Sequence, residues 1–530
     1  MDPSQKGIPT SIPSFLTITL DEIAAGLDSG FFTVQDLTQT ALTRIGEVQD
    51  TLHAVIELNS NALAIARLLD DELKASGRRR GPLFGAPILI KDNIFVAEDN
   101  LRSSSGSSVL LGTRPPRESP VVSRLREAGA VILGSANLSE WANFRSKVSN
   151  SGWSQRGGQT LGAYHHKMNP SGSSSGSAVA ADVGLCLAAI GTETWGSLIY
   201  PADANNVVAL KPTLGLVSRD ATIPVSLEKD TPGPVARTFK DAAAILGIIA
   251  GSDPNDPATY SIPFDEIPDY TKSCTMADVS KFKIGIPRNT MSGVPGHVQK
   301  EFDRAVQGLR DLGVEVIDID FAGFEESAKL EFDEQLWVMA TEFRVSINKY
   351  LAELEENPRN IRSLEDIIEL TKNGPEEDYP HRDMILWELA LKTSRVGERY
   401  TRAKEREERF AGPEGILGAM EAHGLDAIIT PNCAKTCSYF AAGGGLPMIG
   451  VPLGYAPDDT PVKWSDRNDT VDEAPNRPYG LGIVGKAFSE EVLVKVAFAV
   501  ESVTQTRKRA KHLVLPNTDL DDVVGEIVGR

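Results

Sequence analysis

Apolar residues between positions 34 and 52 recur at helical spacing, and 59–74 is a run of good helix formers. The chain from about Thr19 to Ala75 therefore reads as helices, with Leu20-Asp21-Glu22-Ile23 as a helix start and Gly81-Pro82 as the break. From 85 to about 251 the pattern changes. Short apolar runs at 87–90, 130–133, 188–190 and 207–210 alternate with Gly, Ser and Pro clusters, and helical patterns at 119–128 and 177–183 lie between them. Short buried strands alternating with helices predict an α/β sheet with helices on its faces. From about 262 to 421 the chain is charged and mostly helical, clearest at 300–312, 324–354, 363–372 and 384–411, with two strand-like runs at 283–287 and 314–319. The α/β texture returns at 427–430 and 447–451, and 492–503 closes as an amphipathic helix.

Composition narrows the function classes. The 530 residues are 41% hydrophobic and 24% charged, as in ordinary globular proteins. A net charge of −19 argues against nucleic acid and anionic membrane as partners. No apolar run reaches the roughly 18 residues of a membrane helix. The first twenty residues lack the basic start and continuous apolar run of a signal peptide. The expectation is a soluble, cytoplasmic protein. Four cysteines, Cys186, Cys274, Cys433 and Cys437, are too few for a disulfide scaffold, and Cys433 and Cys437 have no second ligand pair nearby. None of the seven histidines sits in an H-E-x-x-H pattern, which disfavours a zinc hydrolase.

Three stretches carry candidate chemistry. Residues 169–177 (NPSGSSSGS) have the composition of a flexible linker, yet run directly into an apolar segment that must be buried. Small residues ahead of a core helix suit a loop whose amides and hydroxyls crowd around a reacting group. Residues 191–197 (GTETWGS) follow an apolar run; a tight turn there exposes Ser197 and aims successive N–H groups at one point, as an oxyanion hole requires. A plain strand-to-loop turn is the competing reading. In 85–92 (GAPILIKD), Lys91 ends an apolar strand. Burial lowers a lysine's pKa, and only the neutral amine can take a proton.

In this order the three stretches resemble the amidase signature family, whose pattern reads roughly G-x-P-x-x-x-K-D, G-G-S-S-x-G-S and G-T-D-x-G-G-S-x-R-x-P-A. Segments 134–142 (GSANLSEWA), 152–160 (GWSQRGGQT), 210–216 (LKPTLGL), 230–237 (DTPGPVAR) and 446–454 (LPMIGVPLG) extend the likeness. The resemblance implies a three-layer α/β/α sandwich with a large mixed central sheet and a helical insertion. It divides the chain into an N-terminal helical region (1–80), the signature core (81–260), a mostly helical variable region (261–423) and the rest of the same core (424–530). It further implies a Ser-Ser-Lys triad. Lys91 is the base, Ser173 the bridging serine held by a cis peptide bond, and Ser197 the nucleophile. Ser197 stands 24 positions after Ser173, the family's own spacing. Backbone amides of Thr194, Trp195, Gly196 and Ser197 hold the oxyanion. No metal or organic cofactor is implied.

This sequence departs from the pattern at two positions around the nucleophile. Trp195 replaces a small residue, where it narrows the acyl pocket or stacks on an aromatic substrate. Ile199 replaces the usual arginine. The motifs SEWANFR, GWSQRGGQT and GTET are most similar to the peptide amidase and fungal amidase branch, which implies a C-terminal amide or aryl amide as substrate. Competing readings are an amide-forming acyltransferase using the same acyl-enzyme, a binding scaffold that has lost activity, and a G-x-S-x-G elbow with Ser174 as nucleophile. The residues before that elbow are polar and end in proline, the wrong context. Ser280-x-x-Lys283 matches another serine-enzyme motif without its partners. The oligomeric state stays open, a homodimer among the options.

Overall fold

The computed structural model describes residues 11–97 and 101–528. Helices begin where a short polar side chain can take over unpaired amides. Thr19, Thr33 and Ser363 each cap a helix (Leu20–Ser29, Val34–Leu52, Leu364–Asn373) and each pairs reciprocally with an acidic residue three positions on.

Eleven of the fifteen strands form one sheet. In chain order the strands are β1 (Val55–Leu58), β2 (Pro87–Lys91), β3 (Val131–Ala136), β4 (Trp153–Ser154), β5 (Gly158–Gln159), β6 (Ala188–Glu193), β7 (Val208–Lys211) and β8 (Thr231–Ala236). They continue with β9 (Lys283–Pro287), β10 (Glu315–Ile319), β11 (Ala427–Pro431), β12 (Met448–Tyr455), β13 (Lys463–Trp464), β14 (Val471–Glu473) and β15 (Pro478–Val484). The sheet order is β1-β3-β2-β6-β8-β7-β12-β15-β11-β9-β10; β4-β5 and β13-β14 are separate ribbons. Pairing is parallel for β3-β2, β2-β6, β11-β9 and β9-β10, and antiparallel elsewhere in the main sheet.

Strand alternation sends side chains into opposite cores. On β7, Val208 and Leu210 join a large cluster with Phe239, Phe302 and Leu493, while Ala209 meets Leu198 and Ala202 on the other side. On β12, Ile449 joins the first cluster and Met448 a third, with Phe410 and Phe440. Helices Phe239–Ile249, Gly296–Asp311 and Glu490–Thr504 cover one face, and Ile199–Ala204, Glu398–Ala411 and Thr436–Gly443 the other. The result is the expected three-layer α/β/α sandwich around a mixed sheet. The helical insertion is also present. Helices Trp337–Ala352, Leu364–Asn373 and Ile385–Leu391 share their own core, in which Trp387 meets Trp141 edge-on with ring centroids 5.3 Å apart.

The structure corrects several local expectations. The N-terminal stretch is not all helix: Val55–Leu58 pairs antiparallel with β3 at one edge of the sheet. The segment 384–411 is two helices, broken before Glu398 by Gly397 at φ 133°. The segment 324–354 is three. Two interior strands, β8 and β15, lack a recognisable strand signal. Pro232 and Pro234 argue against a central strand in β8. They are tolerated because β7 pairs with β8 only at Val235 and Ala236, so that side of the strand needs no amide at either proline. Among the described residues no helix is long and apolar enough to cross a membrane, and the opening ten residues lie outside them.

The buried layer gives a stability test. Phe302 is fully buried in the large cluster, whereas Leu68 is 69% exposed. Replacing Phe302 with Ala should cost about 3–5 kcal/mol, and Leu68→Ala should stay within about 0.5 kcal/mol of the parent. Urea midpoints measure both; indistinguishable midpoints would contradict this packing.

Candidate active site

Parallel pairing of β2 with β6, in the register Ile88↔Ala188 to Ile90↔Ile190, brings the ends of both strands to one place. Lys91 is the last residue of β2 and has no exposed surface. Its Nζ lies 2.9 Å from Ser173 Oγ, 3.0 Å from Ser174 Oγ, 2.8 Å from Thr192 Oγ1 and 3.0 Å from the Thr192 carbonyl oxygen. None of these partners is ionised. Burial lowers the amine to about 7, against the opposing pull of Asp230 and Glu193. A neutral amine has two N–H groups and one lone pair, so one surrounding hydroxyl can donate to it. The Asn93 side-chain amide steadies Thr192 Oγ1 at 3.1 Å.

Residues 169–177 form no linker. The Asn169 side chain accepts from the Ser171 amide at 2.9 Å, and the Asn205 amide holds the Pro170 carbonyl at 2.9 Å. The Gly172–Ser173 peptide is cis, as the resemblance implies. The Ser173 carbonyl accepts from the Ser139 amide at 3.0 Å. A side chain at Gly172 would collide with Ser139 Oγ, and one at Gly176 with the Ala54 carbonyl. The helix Ser175–Asp182 that follows is buried along its whole length. At Gly191 a Cβ would sit 2.7 Å from Ser174 Oγ and 2.6 Å from Leu198. The glycines of both motifs thus permit the close approach of loop, helix and strand.

Buried acids build the turn at 193–199. Glu193, at the end of β6, accepts the amides of Leu198 at 2.8 Å and Ile199 at 3.1 Å. Asp230 takes the Thr194 hydroxyl and the amides of Val225 and Ser226. Its carboxyl is fully buried and pushed up to about 6. Gly196 has φ 75°, and any side chain there would strike the Tyr200 ring. Ser197 is 8% exposed and its hydroxyl has no hydrogen-bond partner among the described residues. The Lys91–Ser173 contact is therefore formed, while the Ser197 hydroxyl stays free.

A cavity of about 340 Å³ opens on Ser197 and is also lined by Gly172, Thr194 and Trp195. The Trp195 indole packs against Tyr439 at 5.1 Å between ring centroids, and its N–H reaches Ser438 Oγ at 3.3 Å. The Tyr200 hydroxyl donates to the same oxygen, and Ser438 donates onward to the Lys435 carbonyl. Trp195 is thus a fixed wall of the cavity. Ile199 points away from it, fully buried among Ile428, Met448 and Phe440. Phe332, Leu336, Met339 and Leu386 of the helical insertion complete the apolar side.

The remaining candidates separate. Ser174 has no exposure and its hydroxyl is taken up by Lys91 and Thr192. Lys283 pairs with Glu315 near the sheet edge. All four cysteines are free thiols. Asp92, next to Lys91, holds the amides of Ser104 and Gly106. Sequence reading overlooked Thr192, Asn93 and the cavity residues 435–439. Asp230 stood at the head of a quoted motif and Thr192 inside another, though neither was given a role, whereas Ser438 and Tyr439 carry no signal beyond residue type.

Three comparisons bear on this geometry. The sequence model of the family described as Amidase matches residues 36–494. A protein of Arthroderma benhamiae, provisionally named an amidase, is 39% identical over 97% of this chain and 90% of its own length. A protein of Arabidopsis thaliana with a similar provisional name is 35% identical, covering 93% of this chain and 91% of its own. The solved native peptide amidase of Stenotrophomonas maltophilia superposes with a TM-score of 0.82 at 37% identity, over 97% of this chain and 99% of that one.

Glycine placement offers a direct check of the turn. Gly196→Ala, strained in φ and in space, should cost about 1–3 kcal/mol, whereas Gly46→Ala, inside a helix with open space around it, should gain about 0.5–1 kcal/mol. Thermal denaturation of both variants decides the matter, and a neutral Gly196→Ala would refute the turn geometry.

Proposed function

The chain belongs to the amidase family, and on that premise we propose that it cleaves its amide through a relay of Lys91, Ser173 and Ser197. It is an amidase, a hydrolase of carbon–nitrogen bonds. The observation that carries the relay is the wholly buried Lys91 amine, near 7 and 2.9 Å from Ser173 Oγ, beneath a cavity that opens on Ser197.

Neutral Lys91 takes the proton of Ser173 as Ser173 takes the proton of Ser197, and Ser197 Oγ bonds to the amide carbon. The carbonyl oxygen becomes an oxyanion facing the backbone amides of Thr194, Trp195, Gly196 and Ser197. The proton returns through Ser173 to the leaving nitrogen, the carbon–nitrogen bond breaks, and ammonia or an amine departs. Water then enters by the same relay, cleaves the acyl–Ser197 ester and releases the carboxylic acid. The hydrogen bond from Ser197 to Ser173 forms only once the reactants are in place; such contacts often tighten in the substrate complex.

The apolar band of Phe144, Leu336, Met339 and Leu386 against Trp195 suits an apolar or aryl group beside the scissile bond. The solved structural neighbour is named a peptide amidase, which supports C-terminally amidated peptides and aryl amides as the substrate class.

The pH dependence follows from the lysine. Its folded value of about 7 lies below the ordinary 10.5, and the neutral form is the active one. kcat/KM should therefore rise with pH through about 7, and a flat profile between about pH 5 and 9 would contradict a lysine base. Ser197→Ala and Lys91→Met should each lose on the order of 10³-fold or more. Hydroxylamine should divert wild-type turnover into a hydroxamate through the acyl-enzyme. Retained activity in Ser197→Ala, with loss in Ser174→Ala, would assign the nucleophile elsewhere.

A further inference from the structure

The protein carries a net charge of −19, yet no carboxylate lines the cavity at Ser197. Its lining holds one charged side chain, Lys435. That side chain is exposed and has neither an ion-pair nor a hydrogen-bond partner among the described residues. Nearby cations are already engaged. Lys147 pairs with Asp333 at 2.8 Å and lies 4.5 Å from the centre of the Phe332 ring, and Arg145 is buried between Glu140 and Glu377.

The Lys435 backbone occupies the left-handed region, with φ 59° and ψ −24°. Few residues other than glycine adopt it, and the conformation persists only where surroundings impose it. Here they do. The Lys435 amide donates to the Asn432 carbonyl at 3.1 Å, and its carbonyl accepts from Ser438 Oγ at 2.8 Å and the Tyr439 amide at 3.1 Å. Ser438 is the same residue that receives the indole N–H of Trp195 and the hydroxyl of Tyr200. One hydroxyl thus ties the segment bearing the free cation to the turn bearing Ser197. The backbone that carries the charge is held at a fixed place relative to Ser197, and Lys435 lines the same cavity as the apolar side chains of Leu336 and Met339.

We propose that Lys435 selects amides carrying a carboxylate at the end away from an apolar body, as in an acidic acyl or aryl amide. This rests on the amidase reading above and goes beyond it by naming the charge of the substrate. An unpaired cation on a lining without carboxylates makes the local potential more positive and so favours an anion in the cavity. Salt screens such an exposed attraction.

Three compounds test it: hexananilide, adipic acid monoanilide with a carboxylate on the acyl side, and hexanoyl 4-carboxyanilide with one on the leaving side. Binding is measured by calorimetry on Ser197→Ala, so turnover does not intervene. At least one acid-bearing compound should bind about fivefold tighter than hexananilide at low salt, the reach of one exposed ion pair. The advantage should shrink in about 0.5 M salt, vanish with Lys435→Met, reverse with Lys435→Glu and persist with Lys435→Arg. All these variants keep a β-carbon, so any backbone strain is common to them. No advantage for either acid, or an undiminished one in Lys435→Met, overturns the proposal. Turnover of the same compounds by wild-type protein reports separately. Charge-selective binding without cleavage would count against the relay alone, and cleavage without charge preference against Lys435 alone.

Discussion

A lysine amine enclosed without a carboxylate in contact is the constraint on which this site depends. Taking an ammonium out of water is costly, and a touching carboxylate would offset that cost by keeping it charged. Here Lys91 meets three hydroxyls and a carbonyl instead. Two carboxylates are buried close enough to oppose its loss of charge, but both are committed to the backbone. Glu193 holds the amides of Leu198 and Ile199, and Asp230 those of Val225 and Ser226. The acids shape the turn and leave the lysine able to shed its proton near neutral pH. The glycines follow from the same constraint, because only a backbone without side chains lets β2, β6 and the serine loop converge on one amine.

Much of this arrangement was legible in the sequence because its causes are local. A lysine closing a run of apolar strand residues, a Gly/Ser segment opening onto a buried helix, and a Gly-bounded turn each state their chemistry in order. The architecture was legible for a similar reason, since alternating strand and helix texture fixes the layers. What escaped was set by pairing between distant segments. Val55–Leu58 is a strand because β3 is available to it. Pro232 and Pro234 lie in an interior strand because the ladder from β7 ends before it reaches them. Thr192 matters because register brings its hydroxyl and carbonyl to Lys91, a relation that no periodicity encodes. Trp195 illustrates the division: its departure from the common pattern was plain, but its anchoring on Ser438 and Tyr439 needed the fold.

The proposed relay and the apolar wall of the cavity rest on different cores. Lys91, Ser173 and Thr192 sit at strand ends and a helix start within the sheet layer, whereas the apolar side of the cavity belongs to helices with a separate hydrophobic cluster. Trp195 packs against both that cluster and the one beneath Tyr439, so it is the seam between them. Changes among Leu336, Met339 and Leu386 can therefore reshape the cavity without disturbing the proposed relay.

The strand order has a consequence for how the molecule comes into being on the ribosome. β12 and β15 are the last strands of the sheet to be synthesised, yet they lie in its middle, between β7 on one side and β11 on the other. A nascent chain that has emerged only as far as residue 447 holds the strands of two separate stretches of the sheet, six on one side and three on the other, and lacks the two that join them. The first fragment already contains Lys91, Ser173 and Ser197. The wall at Ser438 and Tyr439 belongs to a segment that follows β11 in the second, so the pocket is assembled only when the late strands wedge between the halves. Chemistry encoded in the earlier strands thus waits on a keystone encoded after them.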